Sequence, residues 1–155
     1  MLLSELIQED LIKVGLKAKD KWDAIRELVD VLVAAHEIRL NDRTTVIDAV
    51  ETRERSLSTG LKYGLAVPHG IVDCVTDIIV ALGTSPEGIP FESVDESPAR
   101  LIILLVIPKG SLQQHVRTLA GVSAFGTRPE LRERALAATS AQQIMDAIHE
   151  LEGGS

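Results

Sequence analysis

Apolar residues recur at helical spacing from Trp22 onward. Ile25, Leu28, Val29, Leu32 and Val33 follow at three- and four-residue steps through Ala35, and Asp20 stands where a capping acceptor belongs. A second one-sided stripe, Val46, Ile47 and Val50, starts from Asn41 or Asp42 and runs toward Arg55. From Ser56 to Gly70 the character changes: glycine and proline punctuate a short apolar segment, Leu65-Ala66-Val67. Asp77–Leu82 (DIIVAL) and Leu101–Ile107 (LIILLVI) read as strands, the first ended by Gly83 and the second by Pro108. The second is apolar at every position, the pattern of a strand covered on both faces. Gly88, Pro90 and Pro98 break the chain between the two.

Helices return after Pro108-Lys109-Gly110-Ser111. Leu112, Val116, Leu119 and Val122 form one stripe, Leu131 to Ala138 a short alanine-rich helix, and Ser140 caps a last helix with Ile144, Ile148 and Leu151 facing inward. Helices at both ends of a strand-rich middle predict one α/β layered domain over residues 1–151, with a mixed central sheet flanked by helices on both sides. Residues 152–155 are expected to fray. The order of the strands does not follow from the pattern.

Composition narrows the possible functions. The chain has 155 residues, 45% of them apolar and 25% charged, which suits one folded domain. Sixteen basic against 23 acidic residues give a net charge of −7, which disfavours nucleic acid as a partner. A lone cysteine, Cys74, excludes an internal disulfide and a thiolate zinc site. The longest apolar run, Leu101–Ile107, falls far short of the ~18 residues of a membrane span. The first fifteen residues mix acids into their apolar stretch and carry no basic leader, so the expectation is a cytoplasmic domain with no signal peptide and no membrane insertion.

Four histidines offer chemistry near neutral pH. His36 falls in the last turn of the first helix and His149 flanks the stripe of the last; both read as structural. His69 differs, because Pro68 stiffens the backbone before it and Gly70 leaves room after it, at the end of a short strand. Spacing alone leaves open a reactive group or a loop histidine satisfied by backbone. His115 lies on the inward side of its helix, one turn past Ser111, where backbone N–H groups favour anions, and it reads equally as a buried structural group. If their strands are parallel neighbours, His69 and His115 meet at the carboxyl edge of the sheet. No third ligand stands at metal-site spacing, and no glycine-rich phosphate loop or nucleophile elbow is present.

The run Arg53 to Gly70 (RERSLSTGLKYGLAVPHG) resembles the signature of the type-2 enzyme IIA domains of the bacterial phosphoenolpyruvate:sugar phosphotransferase system, in their fructose, mannitol and nitrogen-regulatory members. The likeness continues through Leu101–Pro108 and His115-x-x-x-Leu119-Ala120 to the helix around Ile144 and Ile148. The segment Phe91–Pro98 matches weakly, and Val116 stands where leucine is usual.

The resemblance implies a mixed five-stranded sheet and a phosphocarrier role. His69 would accept a phosphoryl group through Nε2 from phospho-HPr and pass it to a IIB partner or hold it as a regulatory mark. His115 would lie beside it and assist, and Arg53 would help bind the phosphate. Phosphoryl transfer needs donors around the equatorial oxygens, which the Arg53 fork and the helix start at Ser111 offer without any metal or cofactor. The competing reading is a regulatory module that contacts a transporter, kinase or regulator according to its phosphorylation. The Ser58-Thr59-Gly60 turn leans toward the nitrogen-regulatory branch.

Overall fold

Asp20 starts the first long helix as the spacing predicts: its Oδ1 accepts from the Asp23 backbone N–H at 2.8 Å, a cap worth about 1 kcal/mol. The computed structural model describes residues 3–110 and 112–153, with Leu112 by its backbone alone. Along the chain the elements are α1 (Leu3–Leu6), β1 (Ile12–Lys13), α2 (Lys21–Ala34), α3 (Arg43–Ser56), β2 (Leu65–Ala66), β3 (His69–Val72), β4 (Ile79–Ile89), β5 (Ala99–Pro108), α4 (Leu112–Gly126), α5 (Pro129–Ala137) and α6 (Ala141–Gly153).

The centre is the antiparallel pair β4–β5, running from Ile79↔Val106 to Thr84↔Leu101. β1 adds in parallel to β4, while β2 and β3 pair in parallel with successive stretches of β5. The expected mixed five-stranded α/β sheet is therefore present. β5 is buried from Leu101 to Ile107, as its unbroken apolar run requires.

Register assigns the faces. Gly70 pairs with Val106, and a Cβ on Gly70 would meet the α3 backbone at Val50 N, 2.9 Å away. A Cβ on Gly126 of α4 would instead meet Leu65, 2.9 Å away, and Ile103. Ile103 and Val106 point to opposite faces of β5, so α3 covers one side of the sheet and α4 the other. His69 pairs with Leu105 and so belongs to the α4 side.

Five local expectations change. Gly83 does not end its strand; it pairs with Ile102 and Lys13, and a Cβ there would strike Leu16 at 2.8 Å. That glycine marks close packing within a strand. His69 is not a loop residue after a strand but the first residue of β3. His36 lies past the end of α2 at φ 63°, where Glu37 N–H reaches back to the Leu32 carbonyl and His36 N–H to Val33, the usual closing geometry of a helix end. Val116 is exposed, and Thr118 takes its place on the buried side of α4 beside His115 and Val122, both inward as expected. At the other end, α6 continues through Glu152, whose carboxylate accepts from Leu3 and Ser4 N–H, so the expected fraying at 152 does not begin there.

The α3–β3 contact gives a direct test. Gly70→Ala would force the α3 backbone away, an overpacking cost of about 1–3 kcal/mol. Thermal unfolding should show a melting temperature lower by several degrees; an unchanged midpoint would contradict this packing.

Candidate functional site

The inward stripe of α3, Val46, Ile47 and Val50, continues for one more turn, but there the buried positions are the carboxylates Glu51 and Glu54. A buried carboxylate must be met by donors or a cation. Glu54 has both. Its Oε2 accepts from Lys21 Nζ at 3.0 Å and from the Thr59 backbone N–H at 2.9 Å, and its Oε1 accepts from the Thr59 hydroxyl at 2.5 Å. Lys21 is itself 5% exposed, lying 5.5 Å from the Trp22 ring and 5.4 Å from that of Phe91.

Thr59 in turn fixes the next segment. Its carbonyl accepts from Val67 N–H at 3.1 Å, and Gly60 bridges Ala66 in antiparallel fashion. The far side of the turn is braced where Tyr63, at φ 63°, donates its N–H to Asp95 at 3.1 Å and its carbonyl accepts from Arg132 Nη1 at 3.0 Å. Pro68 then interrupts the ladder, having no N–H to give, while its carbonyl still accepts from Leu105 N–H at 3.0 Å.

Val67 and Pro68 thereby aim the half-buried His69. Its Nδ1 lies 3.0 Å from the Val67 carbonyl. A carbonyl only accepts, so in this bond Nδ1 carries the proton and the neutral ring keeps a free lone pair on Nε2. Burial pushes the His69 pKa below its ordinary value, aided by the Arg53 charge and opposed by the Val67 bond and the Glu54 charge. At neutral pH the ring is an uncharged nucleophile.

Arg53 is the neighbour of Glu54 on α3, half-buried, and its charge acts on the His69 ring. Its Nη1 donates to the Leu57 carbonyl at 2.7 Å. His115 is 7% exposed, and among the described residues neither ring nitrogen has a hydrogen-bond partner. It faces a cavity of about 400 Å³ with Thr76, Asp77, Pro108, Lys109 and Gln114, a cavity that His69 does not line. The structure thus brings His69, Arg53 and Glu54 together, and places His115 on the same side of the sheet without a bond to His69. Ser111 lies outside the described residues. His36 and His149 are exposed. Among the described residues no group of three or more His, Cys, Asp or Glu could hold a metal ion, and no helix is long and apolar enough to cross a membrane.

Residue patterns alone gave Lys21, Glu54 and Thr59 no role. A signal was present: Glu54 follows Val50 at a four-residue step and Ile47 at seven, so an acid stands on the inward stripe.

Residues 5–151 match the family model "Phosphoenolpyruvate-dependent sugar phosphotransferase system, EIIA 2". A Bacillus subtilis "PTS system fructose-specific EIIABC component" is 34% identical over 97% of this chain, which spans only 23% of that protein's length. A Haloferax volcanii "PTS system fructose-specific EIIA component" is 32% identical over 96% of both chains. A "Nitrogen regulatory protein" of Bradyrhizobium diazoefficiens is 27% identical over 96% of this chain and 95% of its own. The solved complex of enzyme IIAMTL and phosphorylated enzyme IIBMTL from Escherichia coli aligns with a TM-score of 0.73 at 25% identity, covering 92% of this chain and 96% of that one.

The depressed His69 pKa carries a sign. The unfolded chain takes up a proton near pH 6.5, the folded protein only at lower pH. Stability should therefore decline as pH falls below about 6.5 and stop declining, for this group, below the folded midpoint. NMR titration of the His69 ring should give a midpoint under 6.5, and His69→Ala should flatten that part of the stability curve. A midpoint at or above 6.5 would contradict the burial argument.

Proposed function

Because the chain belongs to the type-2 EIIA family of the phosphoenolpyruvate-dependent sugar phosphotransferase system, we propose that it is a phosphocarrier whose acceptor atom is His69 Nε2, loaded by a phospho-HPr-like protein. The observation that carries the assignment is the Nδ1 bond to Val67, which leaves Nε2 as the ring's one nucleophilic position. In the transfer the Nε2 lone pair attacks phosphorus in line, the P–N bond to the donor's histidine breaks, and that electron pair returns to the donor ring. The His69 Nδ1 proton stays on its own ring, where the Val67 carbonyl stabilises the charge that develops as Nε2 is substituted. Arg53 supplies a planar fork for the equatorial oxygens, held in place by the bond from its Nη1 to the Leu57 carbonyl.

We assign an assisting role to His115, because a buried imidazole with two unpartnered nitrogens on the α4 side of the sheet is open to a phosphoryl oxygen. The Ser111 backbone N–H is proposed with it as a hydrogen-bond donor to the phosphate. For the outgoing step, greater identity with the fructose-specific relatives (34% and 32%) than with the nitrogen regulatory relative (27%) favours delivery to a IIB partner over a held regulatory mark. This reverses the lean drawn from the Ser58-Thr59-Gly60 turn.

Incubation with phosphoenolpyruvate, enzyme I and HPr, followed by intact mass, tests the reading. The protein should gain one phosphoryl group and His69→Ala none; uptake by the alanine variant would overturn it. Arg53→Lys keeps the charge and loses the fork, so loading should slow by roughly ten-fold or more while the melting temperature holds. His115→Gln should still load but deliver more slowly to a fructose-type IIB domain. Wild-type rates in both variants would reduce the site to His69 alone.

A further inference from the structure

We infer that Glu54 is a positioning residue for transfer at His69: its buried carboxylate, anchored by Lys21, holds Thr59 and through it the Val67 carbonyl that accepts the hydrogen bond from His69 Nδ1–H. The inference rests on His69 being the acceptor. Its basis is a continuous path of short polar contacts. Lys21 Nζ meets Glu54 Oε2 at 3.0 Å, Glu54 takes both the N–H and the hydroxyl of Thr59 at 2.9 and 2.5 Å, the Thr59 carbonyl takes Val67 N–H at 3.1 Å, and the Val67 carbonyl meets His69 Nδ1 at 3.0 Å. Three of these residues, Lys21, Glu54 and Thr59, are under 7% exposed.

A buried ion pair is weak evidence for stability, because well-packed apolar residues often serve as well. What such a pair supplies is direction. Glu51, one turn earlier on the same helix, is equally buried, yet its carboxylate faces Arg26 at 3.0 Å and Arg55 at 3.4 Å and reaches no residue of the turn. Glu54 alone spends both oxygens on the segment that leads to His69. Its negative charge and that of the Arg53 guanidinium pull the proton affinity of the His69 ring in opposite directions. Loosening Thr59 would free the Val67 carbonyl to turn, and the Nδ1 proton would lose the acceptor that keeps it off Nε2.

Three variants separate positioning from folding. Glu54→Gln removes the charge and presents an amide N–H₂ to Lys21; Lys21→Met with Glu54→Gln also removes the stranded ammonium; Thr59→Val leaves the Lys21–Glu54 pair intact and deletes one donor. Ring ¹⁵N chemical shifts report the His69 tautomer without any phosphate donor present. The wild type should show almost entirely the Nδ1–H form. The Glu54→Gln and double variants should show a mixture, with loading by phospho-HPr slowed by roughly ten- to a hundred-fold, and the double variant should regain melting temperature without regaining rate. Thr59→Val should move the same two readouts less. Folded variants with the wild-type tautomer and wild-type loading rate would overturn the inference. If the wild type itself took up no phosphoryl group, the acceptor assignment would fail, while the tautomer shifts would still decide whether Glu54 sets the ring.

Discussion

A carboxylate shut away from water must find donors inside the protein, and at Glu54 those donors come from two other parts of the chain, the start of α2 and the turn after α3. That requirement ties elements that the hydrophobic pattern treats as independent. Once Thr59 is fixed by Glu54, the turn has one closure, Val67 N–H has one acceptor, and the chain enters Pro68 in a single direction. On the positioning proposed above, the orientation of His69 is inherited from the buried Lys21–Glu54 pair.

The sheet completes the constraint from the other side. Pro68 breaks the run between β2 and β3, but its carbonyl stays on Leu105, so the two short strands remain in register on β5. Gly70 lets α3 approach closely enough for Arg53 and Glu54 to influence His69 from the same helix turn. One face of that turn points inward and organises; the other points outward and offers a guanidinium. The chemistry then needs little more than an uncharged ring with one free nitrogen and a cationic fork beside it.

Much of this was legible in the chain. The Asp20 cap, the α2 and α3 stripes and the apolar run of β5 follow from periodicity, because each depends on neighbours within a few residues. What was missed depends on distant partners. Gly83 reads as a strand end until Leu16 is seen pressing on it. Val116 reads as core because it fits the helical step, but α4 turns Thr118 inward instead. His69 and Arg53 could be singled out by motif, whereas the roles of Lys21 and Thr59 could not. Thirty-three residues separate Lys21 from Glu54, and no local spacing rule connects them. Glu54 was visible as an acid on an apolar stripe, a local conflict of the kind that marks functional sites.

The central claim is that the fold itself chooses which histidine nitrogen does the chemistry. The most direct measurement is ¹⁵N–³¹P correlation on ¹⁵N-histidine-labelled protein after loading from phosphoenolpyruvate through enzyme I and HPr. The account predicts a single phosphorus coupled to Nε2 of His69, with Nδ1 still protonated and held by Val67. Phosphorus on Nδ1 of His69, or on His115, would contradict it.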